Sequence, residues 1–218
     1  MAEGVSVDVG QMFGALGEQV RRNPLVIILA VAGLTAANLG LDQLAENGPG
    51  NFFPSGLMSL AAQYYVTRAA LGRAGLLPER GASRFGSFWG MNILTGLAIL
   101  VGCILLVLPG LYLLARWLIA APVILAEDKG AAEGMSESWE MMGASAWQAV
   151  GAVLVLYVCG FALALGPVFL FDPDSTPMPV QVVSYVVLFG TTVSGWLMAV
   201  GIYAMLGQQH RSLEEVFA

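Results

Sequence analysis

Arg116 is the residue with the clearest potential for chemistry, because it is the single cation in the apolar stretch from Gly102 to Ala126. It lies about ten residues, or roughly 15 Å, from the end of a membrane-length run, which places it near the expected middle of a bilayer. An arginine at that depth costs roughly 3 kcal/mol to insert and therefore requires a partner. The uncharged polar side chains expected at a similar depth are Gln63, Tyr157, Thr95 and Asn38.

Three roles for Arg116 follow from its chemistry. As a structural clamp, the guanidinium would donate hydrogen bonds to these neutral side chains and to carbonyls left free near Pro109 and Gly110. As a binding residue, it would pair with an anionic group such as a lipid phosphate, because a guanidinium matches phosphate oxygens well. Simple snorkelling of the side chain toward the membrane surface is the third reading.

Other reactive residue types do not assemble into a site. His210, the one histidine, stands beside Arg211 near the end of the chain, where contact with water or lipid headgroups is expected. Glu127 and Asp128 form an acidic pair, but they follow an apolar run and are expected to cap it in an exposed position. The sequence has no nucleophile–base pair, metal-ligand cluster or cofactor loop. We therefore expect no catalytic residues, no metal and no cofactor.

Composition sets the class of protein. Hydrophobic residues make up 57% of the chain and charged residues 11%, against roughly 45–50% and 25% in soluble domains. This composition predicts a polytopic membrane protein. The net charge of -6 comes from scattered acidic residues, so nucleic acid is not an expected partner. Cys103 and Cys159 fall inside apolar runs and are expected to be packing residues.

The elements that would position Arg116 are predicted to be all α-helical, forming a single membrane domain over residues 1–218. Six transmembrane helices in three hairpins are expected, at about 25–44, 53–71, 87–107, 111–126, 147–171 and 180–206. The second span is the least apolar, because it contains Gln63, Tyr64, Tyr65 and Arg68. Since a proline followed by a glycine does not comfortably continue a helix, the hairpin turn of the middle pair is expected at Pro109 and Gly110.

Amphipathic segments precede some of these spans. Residues 5–22 have apolar side chains at helical spacing, which predicts a helix lying on the bilayer surface. The apolar positions are Val9, Met12, Phe13, Leu16 and Val20. Residues 131–143 repeat the pattern with Met135, Trp139 and Met142 on one side, and Glu133, Glu137 and Glu140 on the other. Residues 207–218 are expected to form a short cytoplasmic tail.

The distribution of basic residues predicts the orientation. With six spans, both termini and two long loops share one side of the membrane, and the turns at 45–52, 108–110 and 172–178 lie on the other. The first side holds Arg21, Arg22, Arg68, Arg73, Arg80, Arg84, Lys129 and Arg211, whereas the three turns hold no lysine or arginine. Because cytoplasmic loops are enriched in basic residues, both termini are expected in the cytoplasm.

The chain also carries an ordered set of motif residues. A Pro-Gly pair is followed by an arginine, a proline in an apolar run, an acidic residue and a Ser-Trp pair: Pro109, Gly110, Arg116, Pro122, Glu127, Ser138 and Trp139. This order resembles the membrane domain of bacterial glycerophosphoryl diester phosphodiesterases and related uncharacterised six-span inner-membrane families, best over about residues 100–160. The resemblance implies a six-span fold in the bacterial inner membrane. Where those families are fused to a phosphodiesterase, a separate soluble domain carries the chemistry, so no catalytic residue is implied here.

Three functions from different classes remain open. The first is a non-enzymatic integral membrane protein that interacts with lipids, or with a membrane-protein partner or its own copies, as a subunit or regulator of a complex. The alternative is a small transporter or lipid translocator that uses Arg116 to meet an anionic group. A membrane-embedded enzyme would need an acid–base or metal constellation, which the sequence does not provide.

Overall fold

The computed structural model describes residues 6–44, 52–78, 84–105, 107–170 and 176–217, without the side chains of 52, 103, 105, 107, 168, 169 and 208–217. Its helices are α1 (Val9–Arg22), α2 (Pro24–Leu44), α3 (Phe52–Arg73), α4 (Phe85–Leu105), α5 (Val107–Arg116), α6 (Ala120–Ala126), α7 (Ala131–Met141), α8 (Ala146–Leu165) and α9 (Met178–Phe217). A 3-10 turn, Gly166–Phe169, follows α8. No strand occurs in these ranges, so the prediction of an all-α protein is confirmed.

Several expectations fall outside the described part of the chain. These are the turns at 45–51 and 171–175, Arg80 within 79–83, and the side chains of Cys103, His210 and Arg211.

Within the described ranges, five helical segments are long and apolar enough to cross a membrane. They are Pro24–Leu44, Phe85–Gly102, Leu108–Ala126, Ala146–Leu165 and Met178–Gly207. Helix α3, the expected second span, has 22 residues and is therefore roughly 33 Å long, but its polar residues lower its mean hydropathy below that of the other five. The expected span at 111–126 is not one helix, because it is interrupted between Arg116 and Ala120.

The outer surfaces of these helices are strongly apolar. On α4, Ile93, Leu97, Leu100 and Ile104 are between 49% and 76% exposed. Comparable side chains are exposed on α2, α8 and α9. A soluble monomer rarely exposes such extended apolar surface, whereas lipid tails cover it in a membrane.

Close packing of α8 against α9 depends on small residues. A Cβ atom placed on Gly160 would lie 2.2 Å from the Thr191 hydroxyl oxygen, and one placed on Gly195 would lie 2.3 Å from the Tyr157 hydroxyl oxygen. Gly160 of α8 and Gly195 of α9 therefore let the two backbones approach.

Helix α1, which the sequence predicts to lie on the bilayer surface, packs on the bundle. Asp8 caps its N-terminus by accepting a hydrogen bond from the Gln11 amide at 2.8 Å. Met12 is fully buried, and a Cβ atom on Gly201 of α9 would lie 2.9 Å from the Cβ atom of Ala15. The apolar face was correctly identified, but α9 provides much of the surface that covers it.

The α4–α5 hairpin reverses earlier than expected. Helix α4 ends at Leu105 and α5 begins at Val107, so Pro109 and Gly110 lie in the first turn of α5 and not in the reversal. Proline is tolerated there, because the first amides of a helix have no intrahelical acceptor. Gly110 instead permits close contact with α4: a Cβ atom on Gly102 would lie 2.9 Å from the Gly110 Cα atom.

Contacts between helix ends define the two ends of the bundle. At one end, Arg73 Nη1 donates to Asn23 Oδ1 at 3.0 Å and Arg84 Nε donates to Asp128 Oδ1 at 2.5 Å. We call this the basic end, defined by Arg73, Arg84 and Lys129. At the opposite end, the Tyr185 hydroxyl of α9 donates to Asp42 of α2.

Helix α9 is longer than the expected span. It continues to Phe217, where the sequence analysis expected a separate tail from residue 207. Its 40 residues correspond to about 60 Å, roughly twice the thickness of the hydrocarbon core.

Candidate functional site

Arg116 lies at a break in the membrane-length segment 108–126. Helix α5 ends at Arg116, residues 117–119 form a turn, and α6 begins at Ala120. The Ser138 hydroxyl of α7 donates a 2.8 Å hydrogen bond to the Arg116 carbonyl oxygen. A side chain from α7 thus supplies a donor at the point where the intrahelical ladder stops.

The guanidinium of Arg116 stacks on aromatic rings. Its Cζ atom lies 4.3 Å from the centroid of the Trp139 ring and 5.6 Å from that of Tyr112. These distances are those of cation–π interactions, in which the electron-rich ring face attracts the positive charge. A Cβ atom on Gly143 would lie 3.0 Å from Arg116 Nη1, so a larger residue at this position would crowd the guanidinium.

Two nitrogens of the guanidinium are enclosed. Arg116 Nε and Nη1 are inaccessible to water and have no hydrogen-bond acceptor among the described residues. The aromatic faces therefore provide the main attraction for the charge at these atoms. A ligand that reached Nε or Nη1 would first have to displace the protein groups that cover them.

An aromatic cluster surrounds this interaction. The Tyr112 ring packs edge-on against Trp139 with centroids 6.0 Å apart. It packs at a tilt against Trp147, with centroids 5.3 Å apart. Trp117, at the helix break, packs against Trp139 at 6.0 Å. The cluster joins α5, α7 and the start of α8.

The polar partners expected for Arg116 lie elsewhere. Thr95 donates to the Met91 sulfur at 3.5 Å, Asn38 accepts from Ser55 at 2.6 Å, and Tyr157 packs against Gly195. Gln63 is half-buried on α3. No hydrogen bond among the described residues joins Arg116 to any of these side chains.

The contact between Arg116 and α7 shows that two segments predicted at different membrane depths lie side by side. The sequence analysis placed Arg116 near mid-bilayer and residues 131–143 on the membrane surface. Because the guanidinium lies 4.3 Å from the Trp139 ring, the two residues share one depth. The predicted amphipathic helix itself is present as α7 (Ala131–Met141), with Glu133 and Glu140 exposed.

Helix α7 docks closely on α6. A Cβ atom on Gly134 would lie 2.3 Å from Ile124 Cγ1, so the absence of a side chain there allows the contact. From Ala120 to Leu125 every residue of α6 is buried. Helix α6 is therefore enclosed by protein.

A second group of charges, at the basic end, was not identified as a cluster in the sequence. Lys129 Nζ lies 2.6 Å from Glu127 Oε2 and also pairs with Glu137 Oε2. The Tyr203 hydroxyl donates to Glu127 Oε1 at 3.0 Å. Glu137 is on α7 and Tyr203 is on α9, so these residues meet Glu127 only because the chain reverses after α6. The sequence feature that could have indicated the cluster is Lys129, which lies between Glu127 and Glu137 in the chain.

A pocket of about 510 Å³ adjoins this group. The loop after α3 contributes Leu76 and Leu77, α7 contributes Glu137 and Met141, and α9 contributes Tyr203. The wall therefore combines apolar side chains with carboxylates.

Asp128 forms a further ion pair beside the pocket. It adopts a left-handed backbone conformation with φ 54°, which aspartate tolerates better than most residues. Its hydrogen bond with Arg84 lowers the pKa of the Asp128 carboxyl below its usual value. The pair fastens the start of α4 to the turn between α6 and α7.

Metal ligands are not grouped in the part of the chain that the structure describes: no three His, Cys, Asp or Glu side chains there could hold an ion. Comparison with protein-family models, with curated proteins and with solved structures finds no match to this chain.

Proposed function

We propose that this chain is a non-enzymatic integral membrane protein of the bacterial inner membrane that interacts with lipids or acts as a subunit or regulator of a membrane complex. The observation that carries the proposal is the exposed apolar surface of five membrane-length helices. Such a surface is stable in contact with lipid tails or with another apolar helix. The resemblance to the membrane domain of glycerophosphoryl diester phosphodiesterases is part of the same proposal.

The proposal includes α3 as a sixth span and both termini in the cytoplasm. In support, α3 runs antiparallel to α2: Ser55 pairs with Asn38 near one end, and Arg73 pairs with Asn23 near the other. A helix of 22 residues that parallels a span over this distance has the length to cross with it. The collection of basic residues at one end of the bundle supports a cytoplasmic assignment for that end.

Within this function, Arg116 is proposed to be a structural clamp. Its carbonyl oxygen accepts the hydrogen bond from Ser138, and its guanidinium stacks on Trp139. One residue thus attaches α7 to the break between α5 and α6. The enclosure of Nε and Nη1 favours this role over phosphate binding, because a bidentate contact with an anion needs two adjacent guanidinium nitrogens and every such pair includes one of these atoms.

A small lipid translocator remains the second candidate. The observation in its favour is the interrupted segment 108–126, because transporters commonly bind substrates where a membrane helix is broken. Under this alternative, Arg116 would release Trp139 to meet an anionic headgroup.

Anionic lipid distinguishes the two candidates. Purified wild type and Arg116→Leu would be unfolded thermally in detergent with and without phosphatidylglycerol. A clamp predicts the same lipid effect in both proteins, whereas a phosphate-binding arginine predicts a stabilisation that only the wild type shows.

Topology is tested by cysteine labelling in a C103A/C159A background. Asn47→Cys and Ser175→Cys are expected to react with an impermeant maleimide in spheroplasts, and Glu133→Cys to react after lysis. Labelling of residues 47 and 175 from opposite sides would contradict the six-span arrangement.

Lipid or protein partnership is tested by native mass spectrometry after extraction in a mild detergent. We expect retained phospholipid, a stoichiometric membrane-protein partner or a defined homo-oligomer. A monomer free of lipid and partner under several mild detergents would contradict the proposed function.

A further inference from the structure

The pocket at the basic end has the charge of a cation site. Glu127 and Glu137 contribute two negative charges to its wall, and Lys129, which pairs with both, contributes one positive charge. The group therefore carries a net charge of about −1 at neutral pH. The carboxylates of this group favour a cation over an anion at the part of the wall that they form.

The hydrogen bonds of the group leave one acceptor available. Both oxygens of Glu127 have donors, since Oε1 accepts from Tyr203 and Oε2 faces Lys129. In Glu137, Oε2 faces Lys129, and Oε1 has no donor among the described residues. Because Glu137 lines the pocket, this oxygen can accept a hydrogen bond from a ligand.

A primary ammonium satisfies both conditions. It carries a positive charge and three N–H donors, whereas a quaternary ammonium has the charge but no donor. Lys129 already demonstrates that this pair of carboxylates accommodates an ammonium group.

Apolar side chains also contribute to the wall of the pocket. Leu76, Leu77 and Met141 line it beside the carboxylates. A ligand that matches the whole pocket is therefore amphiphilic, with an ammonium at one end and hydrocarbon next to it. The pocket lies at the end of the membrane-length helices, which is the level of lipid headgroups.

We propose that this pocket binds the primary ammonium headgroup of a zwitterionic phospholipid, with Glu137 as the principal acceptor. The inference rests on the proposed membrane function and adds a lipid class and a site to it. Lys129 acts as an internal competitor, since its ammonium occupies the same two carboxylates.

Lipid selectivity tests the proposal. Wild type in detergent would be titrated with phosphatidylethanolamine, phosphatidylcholine or phosphatidylglycerol of identical acyl chains, and bound lipid counted by native mass spectrometry. We expect phosphatidylethanolamine to bind at least about tenfold more tightly than phosphatidylcholine, the ratio expected for a hydrogen bond to a charged acceptor. Equal binding of these two lipids would overturn this inference and leave the proposed function intact, whereas binding of no lipid and no partner would count against both.

Two variants and a control locate the site. Glu137→Gln is expected to remove most of the preference for phosphatidylethanolamine, and Glu140→Gln, on an exposed position of the same helix, to retain it. Lys129→Met is expected to bind phosphatidylethanolamine more tightly than the wild type, because the internal competitor is gone. A preference that survives in Glu137→Gln, or an affinity that falls in Lys129→Met, would overturn the assignment.

Discussion

The interaction between Arg116 and Trp139 can be measured by a double-mutant cycle. Arg116→Met keeps an unbranched apolar side chain, and Trp139→Leu removes the ring. A cation–π contact contributes about 0.5–1 kcal/mol when exposed and about 2 kcal/mol when desolvated. Because Nε and Nη1 are enclosed and the ring centroid lies 4.3 Å from Cζ, we expect a coupling energy of about 1–2 kcal/mol.

The cycle is more informative than either single variant. Removing a desolvated charge also removes the cost of desolvating it, so Arg116→Met alone can be nearly neutral. The coupling energy cancels this contribution, because it is the part of the effect that depends on both residues.

Trp147 provides the matched control. It contacts Tyr112 at 5.3 Å, is 64% exposed, and belongs to the same aromatic cluster. The assay is reversible unfolding in mixed micelles, with the denaturant slope checked for constancy. A cycle of Arg116→Met with Trp147→Leu is expected to give less than about 0.5 kcal/mol. Equal coupling in the two cycles would refute the role given to Trp139.

Two further perturbations test how helices are fastened. Gly201→Ala places a methyl group against the backbone of Ala15. It is expected to lower the unfolding free energy by about 1–3 kcal/mol and to speed hydrogen exchange in α1. The control Gly96→Ala places its methyl group in open space and should not destabilise the protein. Arg84→Gln is expected to lower the unfolding free energy at about pH 6, where Asp128 is ionised and pairs with Arg84 in the wild type. The ion pair lowers the pKa of Asp128. The difference between variant and wild type should therefore shrink as the pH falls below about 4 and vanish once the pH is below that lowered pKa. A difference that persists after the carboxyl is protonated would contradict this account.

Local periodicity explains what could be predicted from the sequence. The amphipathic helix α7 was expected over 131–143 and extends over Ala131–Met141, because the spacing of Met135, Trp139 and the glutamates is a property of the segment itself. The same holds for the apolar face of α1 and for the long apolar helices. These features depend on neighbouring residues in the chain.

Contacts between distant segments explain what was missed. The partner of Arg116 was sought among residues at a matching calculated depth, and Trp139 was instead assigned to the membrane surface. The break after Arg116 and the reversal after Glu127 bring α7 back along α5 and α6, which no periodicity in the segment encodes. The ion pair between Lys129 and Glu137 depends on the same reversal. The two residues are eight positions apart in the chain, and the turn before α7 brings them together.

The docking of α1 has a consequence for the order in which the protein is made. Helix α1 is synthesised before α9, and its Ala15 packs against Gly201 of that later helix. The Val7 amide donates to the hydroxyl oxygen of Ser145, which is synthesised 138 residues later. Until α9 has been inserted, the apolar face around Met12 has no final partner, and the membrane surface is the environment that can cover it. If α1 first lies on the membrane surface, its docking on α9 is expected to be a late step in assembly of the bundle.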